Sequence, residues 1–276
     1  MRYGLYLPNF GACASVRELS ELARAAETVG WDGFFLWDHI AFEEPVPFVD
    51  PWVALTAMAL STTRLQLGPM VTPLPRRRPW QVARASATLD KLSGGRLVLG
   101  VGLGGDWWRE YSAFGEPAED RPHGAMLDEA LEVLTGLWSG EPFSFAGQHY
   151  QVERAQFLPC PTRQPRIPIW VGGIWPHKAP FRRAARWDGV FPIGSGGGLA
   201  PEDVRAMLAY IQPLRAAAGQ DAPFEVVLRG HAARDAAGMA RLVDYAGAGT
   251  TWWLEGFSHR TTPAELRAAI ELGPPR

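Results

Sequence analysis

Apolar residues along this chain follow two spacings that alternate from one end to the other. Short segments with continuous or every-second apolar positions predict β-strands, and the longer segments between them carry the spacing of amphipathic helices. Strands are predicted in this way at residues 3–7, 33–37, 65–71, 96–101, 168–171, 189–192, 224–229 and 251–254. A strand followed by a helix, repeated to the end of the chain, is typical of parallel βαβ units.

Several of the predicted helices begin at recognisable capping sequences. Ser15 stands three residues before Glu18, which is the spacing of a capping box, and Thr262 and Glu265 repeat that spacing. Asp50 is followed directly by a proline, so a capping carboxylate precedes a residue suited to the first helical position. These signals place helix starts immediately after loops that follow predicted strands.

Eight strands, each followed by a helix, in a chain of 276 residues predict an α/β fold of the (β/α)8 TIM-barrel type. An open doubly wound sheet is the alternative. Between the fourth helix and the fifth strand, the segment FSFAGQHYQVE predicts a small hairpin that turns at Ala146-Gly147. We interpret it as an excursion from the barrel, so a single domain is expected over residues 1–276.

Composition narrows the class of protein. The formal net charge is -2 and the basic residues are dispersed, so nucleic acid is not expected as a partner. Cys13 and Cys160 are far apart and form no CxxC motif, so neither a disulfide framework nor a metal site is indicated. No apolar run approaches the roughly 18 residues that a membrane span needs, and strand-like residues begin at Tyr3. We therefore expect a cytoplasmic protein that acts on a small-molecule substrate away from membranes.

In a TIM barrel, the residues that follow the strands form the ligand site. Asp38 and His39 follow the second strand, and an imidazole there can exchange protons near neutral pH, so both residues are catalytic candidates. Glu255 follows the last strand. Asp38 and Glu255 could instead form the carboxylate pair of a hydrolase, which is a second hypothesis.

Glycines after the fourth and fifth strands, in GVGLGG and VGG, allow a ligand to approach the backbone closely. They lack the GxGxxG spacing of a Rossmann site. Lys178 stands near the start of the fifth helix, where it could pair with a phosphate. Tryptophans also fall at or just after strand ends, at Trp37, Trp107, Trp108 and Trp175. Glycines and aromatic rings around a mouth with few charges suit a flat, largely apolar ligand with a polar tail.

In combination, the segments GLYLPNF, DGFFLWDH, LDKLSGGRLVLGVGLGG, IPIWVGG and AARWDGVFP resemble the bacterial luciferase-like monooxygenase superfamily. Its members are flavin- and deazaflavin-dependent (β/α)8 barrels, and the resemblance extends at least over residues 3–192. It implies an oxidoreductase that uses FMN or F420 for hydride transfer to or from a small organic substrate, or for its oxygenation. Since relatives are commonly dimers, it also suggests a homodimer.

The resemblance further implies particular site residues. Met70-Val71 would form a non-prolyl cis peptide that presses on the isoalloxazine ring, and His39 would be the proton donor or acceptor. The implied cofactor-binding residues are Met70, Val71, Thr72, Gly102, Gly104, Gly105, Val171, Gly172, Gly173, Ile174, Lys178, Ile193 and Gly194. Some F420-using sugar-phosphate dehydrogenases of this superfamily have a catalytic glutamate just after the glycine loop, where this chain has Asp106 as the candidate substitute.

Two alternatives remain open beside a monooxygenase. One is an F420-dependent dehydrogenase or reductase without oxygen chemistry, because the deazaflavin ring does not support oxygen addition. The other is a flavin-binding protein without catalysis.

Overall fold

The fold is seen in a computed structural model that describes residues 1–195 and 198–275. The strands are β1 (Arg2–Leu7), β2 (Gly33–Leu36), β3 (Gln66–Pro69), β4 (Thr72–Pro73), β5 (Leu99–Gly102), β6 (Phe143–Ala146), β7 (Gln151–Ala155), β8 (Ile169–Trp175), β9 (Gly189–Gly194), β10 (Glu225–Gly230) and β11 (Trp252–Gly256). The helices are α1 (Val16–Thr28), α2 (Pro51–Ser61), α3 (Pro79–Ser93), α4 (Asp120–Trp138), α5 (Lys178–Ala184), α6 (Pro201–Ala217), α7 (Ala236–Gly247) and α8 (Pro263–Glu271).

The parallel strands close into the predicted eight-position barrel. They lie in the order β3, β2, β1, β11, β10, β9, β8, β5, β4, and all neighbours within this sheet whose register is resolved run parallel. β3 and β4 share the third position, since β3 pairs with β2 and β4 pairs with β5, and a bridge between Leu67 and Leu97 closes the ring. The single third strand predicted over residues 65–71 is therefore divided in two, and the Met70–Val71 peptide between the halves is cis.

Successive side chains of each strand point to opposite sides of the barrel wall. One set fills the interior, with Tyr6, Phe35, Met70, Val98, Trp170, Phe191, Val227, Trp252 and Leu254. The other set packs under the helices in the larger outer core, which includes Leu5, Leu36 and Trp253. This alternation decides which strand-end residues can face the mouth.

The capping sequences act as predicted. Ser15 Oγ accepts a hydrogen bond from the Glu18 amide at 3.3 Å, and Asp50 Oδ1 accepts one from the Trp52 amide at 2.9 Å. The backbone amide of Thr262 donates to the Glu265 carboxylate at 2.8 Å while the Thr262 hydroxyl accepts from the Glu265 amide. Each cap satisfies amides that a helix N-terminus leaves without a helical partner.

The predicted hairpin is also present, as the antiparallel pair β6 and β7. Its turn is closed by a hydrogen bond from the Gly147 amide to the Tyr150 carbonyl at 3.0 Å. The Glu129 carboxylate of α4 accepts hydrogen bonds from the amides of Gln148, His149 and Tyr150. The hairpin is thus tied to α4 on the outside of the barrel.

Among the described residues, no helix has both the length and the apolar character to cross a membrane.

We expect replacement of Glu27 with alanine to destabilise the barrel at neutral pH. Its carboxylate accepts hydrogen bonds from the amides of Thr63, Arg64 and Leu65 at 2.9, 2.6 and 2.8 Å, which hold the chain between α2 and β3. Burial works against the charge, but these amides outweigh it, so the pKa of Glu27 lies below its ordinary value. Loss of bonds to a charged group predicts a decrease of about 1–3 kcal/mol in the free energy of unfolding.

Because the pKa of Glu27 is lowered by folding, its contribution is present above the ordinary carboxyl pKa and is lost as the pH falls below it. Urea denaturation of wild type and Glu27→Ala at pH 7 and in acid measures this difference, which should narrow in acid. Glu21→Ala is the matched control, since Glu21 lies on the same helix with only an exposed ion pair to Arg267 at 3.5 Å. Equal losses for the two variants would contradict the prediction.

Candidate active site

Asp38 follows β2 but is buried and fully engaged. Thr72 Oγ1 donates to its Oδ2 at 2.8 Å, and Arg77 Nη2 donates to its Oδ1 at 2.6 Å. The inner cluster contains Phe35 and Trp37, so Asp38 falls on the outer side of the barrel wall. The structure places this predicted catalytic residue where it joins the loops after β2 and β4, with no free carboxylate oxygen for a substrate.

Glu255 is likewise on the outer side, beyond the inward-facing Leu254. It accepts hydrogen bonds from the Ala232 amide at 3.1 Å and from Trp253 Nε1 at 3.3 Å, and it contacts His231 Nδ1. Burial raises the pKa of Glu255, although Ala232 and His231 act in the opposite direction. Asp38 and Glu255 share no partner and do not face each other across the mouth, so the geometry does not support the hydrolase hypothesis.

His39 is held in one orientation and remains partly exposed. Its amide donates to Asn9 Oδ1 at 3.1 Å, and Asn9 Nδ2 donates back to its carbonyl at 2.9 Å. The Nδ1 atom of His39 lies 2.8 Å from Glu110 Oε2, and the side chain is 23% exposed. Within the described parts of the chain, Nε2 has no hydrogen-bond partner. His39 therefore offers Nε2 for proton exchange with a ligand.

Glu110 is the functional residue that sequence reasoning missed. Its other oxygen, Oε1, accepts hydrogen bonds from Arg76 Nη1 at 2.8 Å and from the Ile40 amide at 2.7 Å, and its side chain is only 2% exposed. Burial works to raise the pKa of Glu110, but the hydrogen bond and charge of His39, together with Arg76 and the Ile40 amide, lower it below its ordinary value. Glu110 is therefore a carboxylate at neutral pH.

Asp106, the predicted substitute for a catalytic glutamate, binds backbone amides of its own loop. Its Oδ1 accepts hydrogen bonds from the amides of Tyr111 and Ser112 at 2.8 and 3.1 Å, so it orders the loop that carries Glu110 to His39. A signal for Glu110 was present in the sequence. Three consecutive arginines begin at Arg76 just after a strand end, and buried arginines need carboxylate partners. Arg76 is in fact 6% exposed.

Beside His39, the mouth has an apolar floor. Tyr6 lies 5.4 Å from both Trp37 and Phe191, measured between ring centroids, and Val71 and Ile193 pack against the same inner cluster. The indole Nε1 of Trp37 is buried and has no hydrogen-bond partner in the described residues. The floor is thus formed by aromatic and aliphatic side chains.

Gly102 at the end of β5 and Gly172 in β8 accommodate Val71. A Cβ built on Gly102 would lie 2.8 Å from Val71 Cγ2, and one built on Gly172 would lie 3.0 Å from Val71 Cγ1. Gly104 has a φ of +74°, in the left-handed region that favours glycine. A larger residue at Gly102 or Gly172 would collide with the Val71 side chain, so these glycines let the backbone approach Val71 closely.

The profile of the luciferase-like monooxygenase family matches residues 1–270. The chain belongs to this family. A protein of Mycobacterium tuberculosis whose function is uncharacterised is 36% identical over 223 residues, which is 74% of both chains. An F420-dependent glucose-6-phosphate dehydrogenase of Nakamurella multipartita is 35% identical over 187 residues, covering 65% of this chain and 52% of that enzyme.

The fold of this luciferase-like family member also matches solved structures. An F420-dependent secondary alcohol dehydrogenase, solved with an F420–acetone adduct, superposes with a TM-score of 0.83 at 18% identity and covers 99% of this chain and 98% of its own. The TM-score shows that the fold is shared, and at this identity the likeness shows the fold alone. The cis peptide that the family resemblance implied at Met70–Val71 is present here.

The structure brings only part of the implied cofactor set of this family member together. Met70, Val71, Gly102, Gly172 and Ile193 meet at the inner floor. Partly exposed strand-end and loop positions surround this group, at Gly104, Gly105, Gly173, Ile174 and Gly194. Three residues lie elsewhere, because Val171 is in the outer core, the Thr72 hydroxyl is bound to Asp38, and Lys178 Nζ lies 3.9 Å above the Trp175 ring.

Proposed function

We propose that this luciferase-like family member is an oxidoreductase that binds FMN or F420 across the barrel mouth. Hydride transfer to or from a small organic substrate would occur beside His39, which moves the accompanying proton. The observation that carries this proposal is the His39–Glu110 pair at the edge of the apolar floor formed around Val71. The F420-dependent enzymes among its relatives and structural neighbours support the cofactor class.

The residues present fit a tricyclic ring system. The inner cluster supplies an apolar surface at Tyr6, Trp37 and Val71, and Gly102 and Gly172 leave room for Val71 in that surface. When bound, FMN or F420 supplies the hydride acceptor or donor that no amino-acid side chain provides.

His39 and Glu110 divide the proton chemistry between them. The contact of 2.8 Å to the Glu110 carboxylate keeps a proton on Nδ1, so the neutral ring presents the lone pair of Nε2 to the mouth. When a substrate hydroxyl gives its proton to Nε2, the buried carboxylate stabilises the imidazolium that forms. In the reverse direction the imidazolium returns that proton to a carbonyl oxygen.

The choice of cofactor decides the reaction class. FMN would permit monooxygenation, whereas F420 would limit the protein to dehydrogenation or reduction. We expect the fluorescence of FMN or of F420 to change saturably when the purified protein is added. Bovine serum albumin at the same concentration controls for nonspecific binding. If neither cofactor responds, the proposed function is wrong.

A further inference from the structure

Four loops at the barrel mouth bring aromatic rings against His39. The ring centroid of Trp108 lies 4.6 Å from that of His39 and 4.6 Å from that of Phe42. Phe10 lies 4.9 Å from both Phe42 and Phe48. His259 packs 4.8 Å from Phe42. The aromatic wall consists of Phe10, Phe42, Phe48, Trp108 and His259, from the loops after β1, β2, β5 and β11.

Backbone hydrogen bonds hold the aromatic wall together. The Gly11 amide donates to the Pro47 carbonyl at 2.9 Å, and the Ala12 amide donates to the His259 carbonyl at 2.9 Å. Gly11 has a φ of +90°, and a Cβ there would lie 2.2 Å from the His259 carbonyl oxygen. The wall is therefore formed by the fold itself, and a ligand binding against it need not order these loops.

The arginines that reach the His39–Glu110 pair are already neutralised. Arg76 donates to Glu110, and Arg77 forms its ion pair with Asp38 at 2.6 Å. Neither guanidinium is left to bind a phosphate beside His39. A phosphorylated substrate would have to displace a buried carboxylate from its arginine, which costs far more than a surface ion pair.

The rim of the aromatic wall carries charges of both signs. Glu43 and Glu44 are exposed on the loop after β2, Arg260 lies 3.5 Å from Glu44, and Arg109 is exposed beside Trp108. By contrast, the Nε2 atom of His259 is buried and has no hydrogen-bond partner in the described residues. The wall thus offers aromatic ring faces beside His39.

We propose that the substrate is an uncharged alcohol or carbonyl compound with a flat or cyclic apolar body, which packs against Phe42 and Trp108 with its reacting group at His39 Nε2. We expect sugar phosphates to bind poorly here, because Arg76 and Arg77 already pair with carboxylates. This inference rests on the proposed function and names its substrate class. In the oxidising direction, the carbinol C–H bond breaks and its hydride passes to the oxidised flavin or deazaflavin. The O–H proton passes to Nε2 and the C=O bond forms, so the alcohol is oxidised and the cofactor is reduced.

The test compares binding of 1-phenylethanol, 2-propanol and glucose 6-phosphate by isothermal titration calorimetry, with the protein alone and with cofactor present. We expect 1-phenylethanol to bind at least tenfold more tightly than 2-propanol, since a buried phenyl ring contributes about 1.5–3 kcal/mol. Glucose 6-phosphate should show no saturable binding. Phe42→Ala should weaken 1-phenylethanol binding about tenfold by the same reasoning.

Phe114→Ala is the matched control, because Phe114 is an exposed phenylalanine outside the aromatic wall, and its removal should leave the affinity unchanged. Equal affinities for the two alcohols, or an unchanged affinity in Phe42→Ala, would overturn the proposal. Saturable binding of glucose 6-phosphate would also overturn it. If that binding is lost in Arg229→Gln, the phosphate lies at the exposed Arg229 of β10. The fluorescence titration with FMN and F420 tests the proposed function separately. Calorimetry on the protein without cofactor still tests the substrate class if neither cofactor binds.

Discussion

Replacing His39 with alanine will lower the turnover of the cofactor-loaded enzyme by about 10²–10⁴-fold, which is the usual contribution of a positioned general acid or base. Asn9 holds the His39 backbone, Glu110 holds Nδ1, and Nε2 has no hydrogen-bond partner among the described residues, so loss of the ring removes the proton acceptor without disturbing the apolar floor. Affinity for the cofactor should therefore change by no more than a few-fold. Single-turnover kinetics and the fluorescence titration measure the two quantities.

His177→Ala is the matched control for that variant. His177 is exposed at the start of α5 and takes no part in the His39–Glu110 pair, so its turnover should equal that of wild type. Undiminished turnover in His39→Ala would remove the assigned role of His39. A large loss of cofactor affinity together with turnover would instead make His39 a binding residue.

Replacing Glu110 with glutamine will destabilise the protein by about 3 kcal/mol at neutral pH, the lower end for a broken buried ion pair, because Arg76 then keeps only the more distant Asp38 carboxylate at 3.5 Å. The sign of the pH dependence follows from the direction of the shift. Folding lowers the pKa of Glu110, so its stabilisation is present above the ordinary glutamate pKa and is lost as the pH falls through the lower, folded value. Urea denaturation should show the difference between wild type and variant shrinking in acid.

Turnover of Glu110→Gln should also fall, since the neutral amide no longer stabilises an imidazolium at His39. Glu110 acts through His39, so it is a positioning residue. Glu116→Gln is the control, because Glu116 is exposed on the same loop and both its stability and its turnover should match wild type. A Glu110→Gln protein as stable as wild type at pH 7 would show that Asp38 alone compensates the charge of Arg76 and would contradict the prediction.

Much of the barrel follows from local pattern. The strand and helix periodicities predicted every barrel position, because a two-residue or 3.6-residue repeat depends only on nearby residues. The caps at Ser15, Asp50 and Thr262 formed as predicted for the same reason. The prediction of one continuous third strand over residues 65–71 was wrong, because the strand is broken at Met70–Val71. That break came from the family resemblance and could not be obtained from periodicity.

The site was less predictable than the fold. His39 was found because it directly follows a strand, but Glu110 was missed because the two residues are 71 positions apart and meet only where two loops converge. Asp38 and Glu255 looked equivalent to His39 in the sequence. Their outward direction depends on the strand phase, and a shift of one residue reverses which side of the wall a side chain faces.

By itself, the sequence determined the order of strands and helices, the capped helix starts, the family and the histidine at the second strand end, since these depend on local spacing or on conserved-looking segments. Only the tertiary structure decided which charged side chains form ion pairs with one another. Arg76 pairs with Glu110 and Arg77 pairs with Asp38 through contacts between distant loops. The aromatic ring of Trp108 is brought against His39 in the same way. Such pairings depend on three-dimensional proximity, which no local repeat encodes.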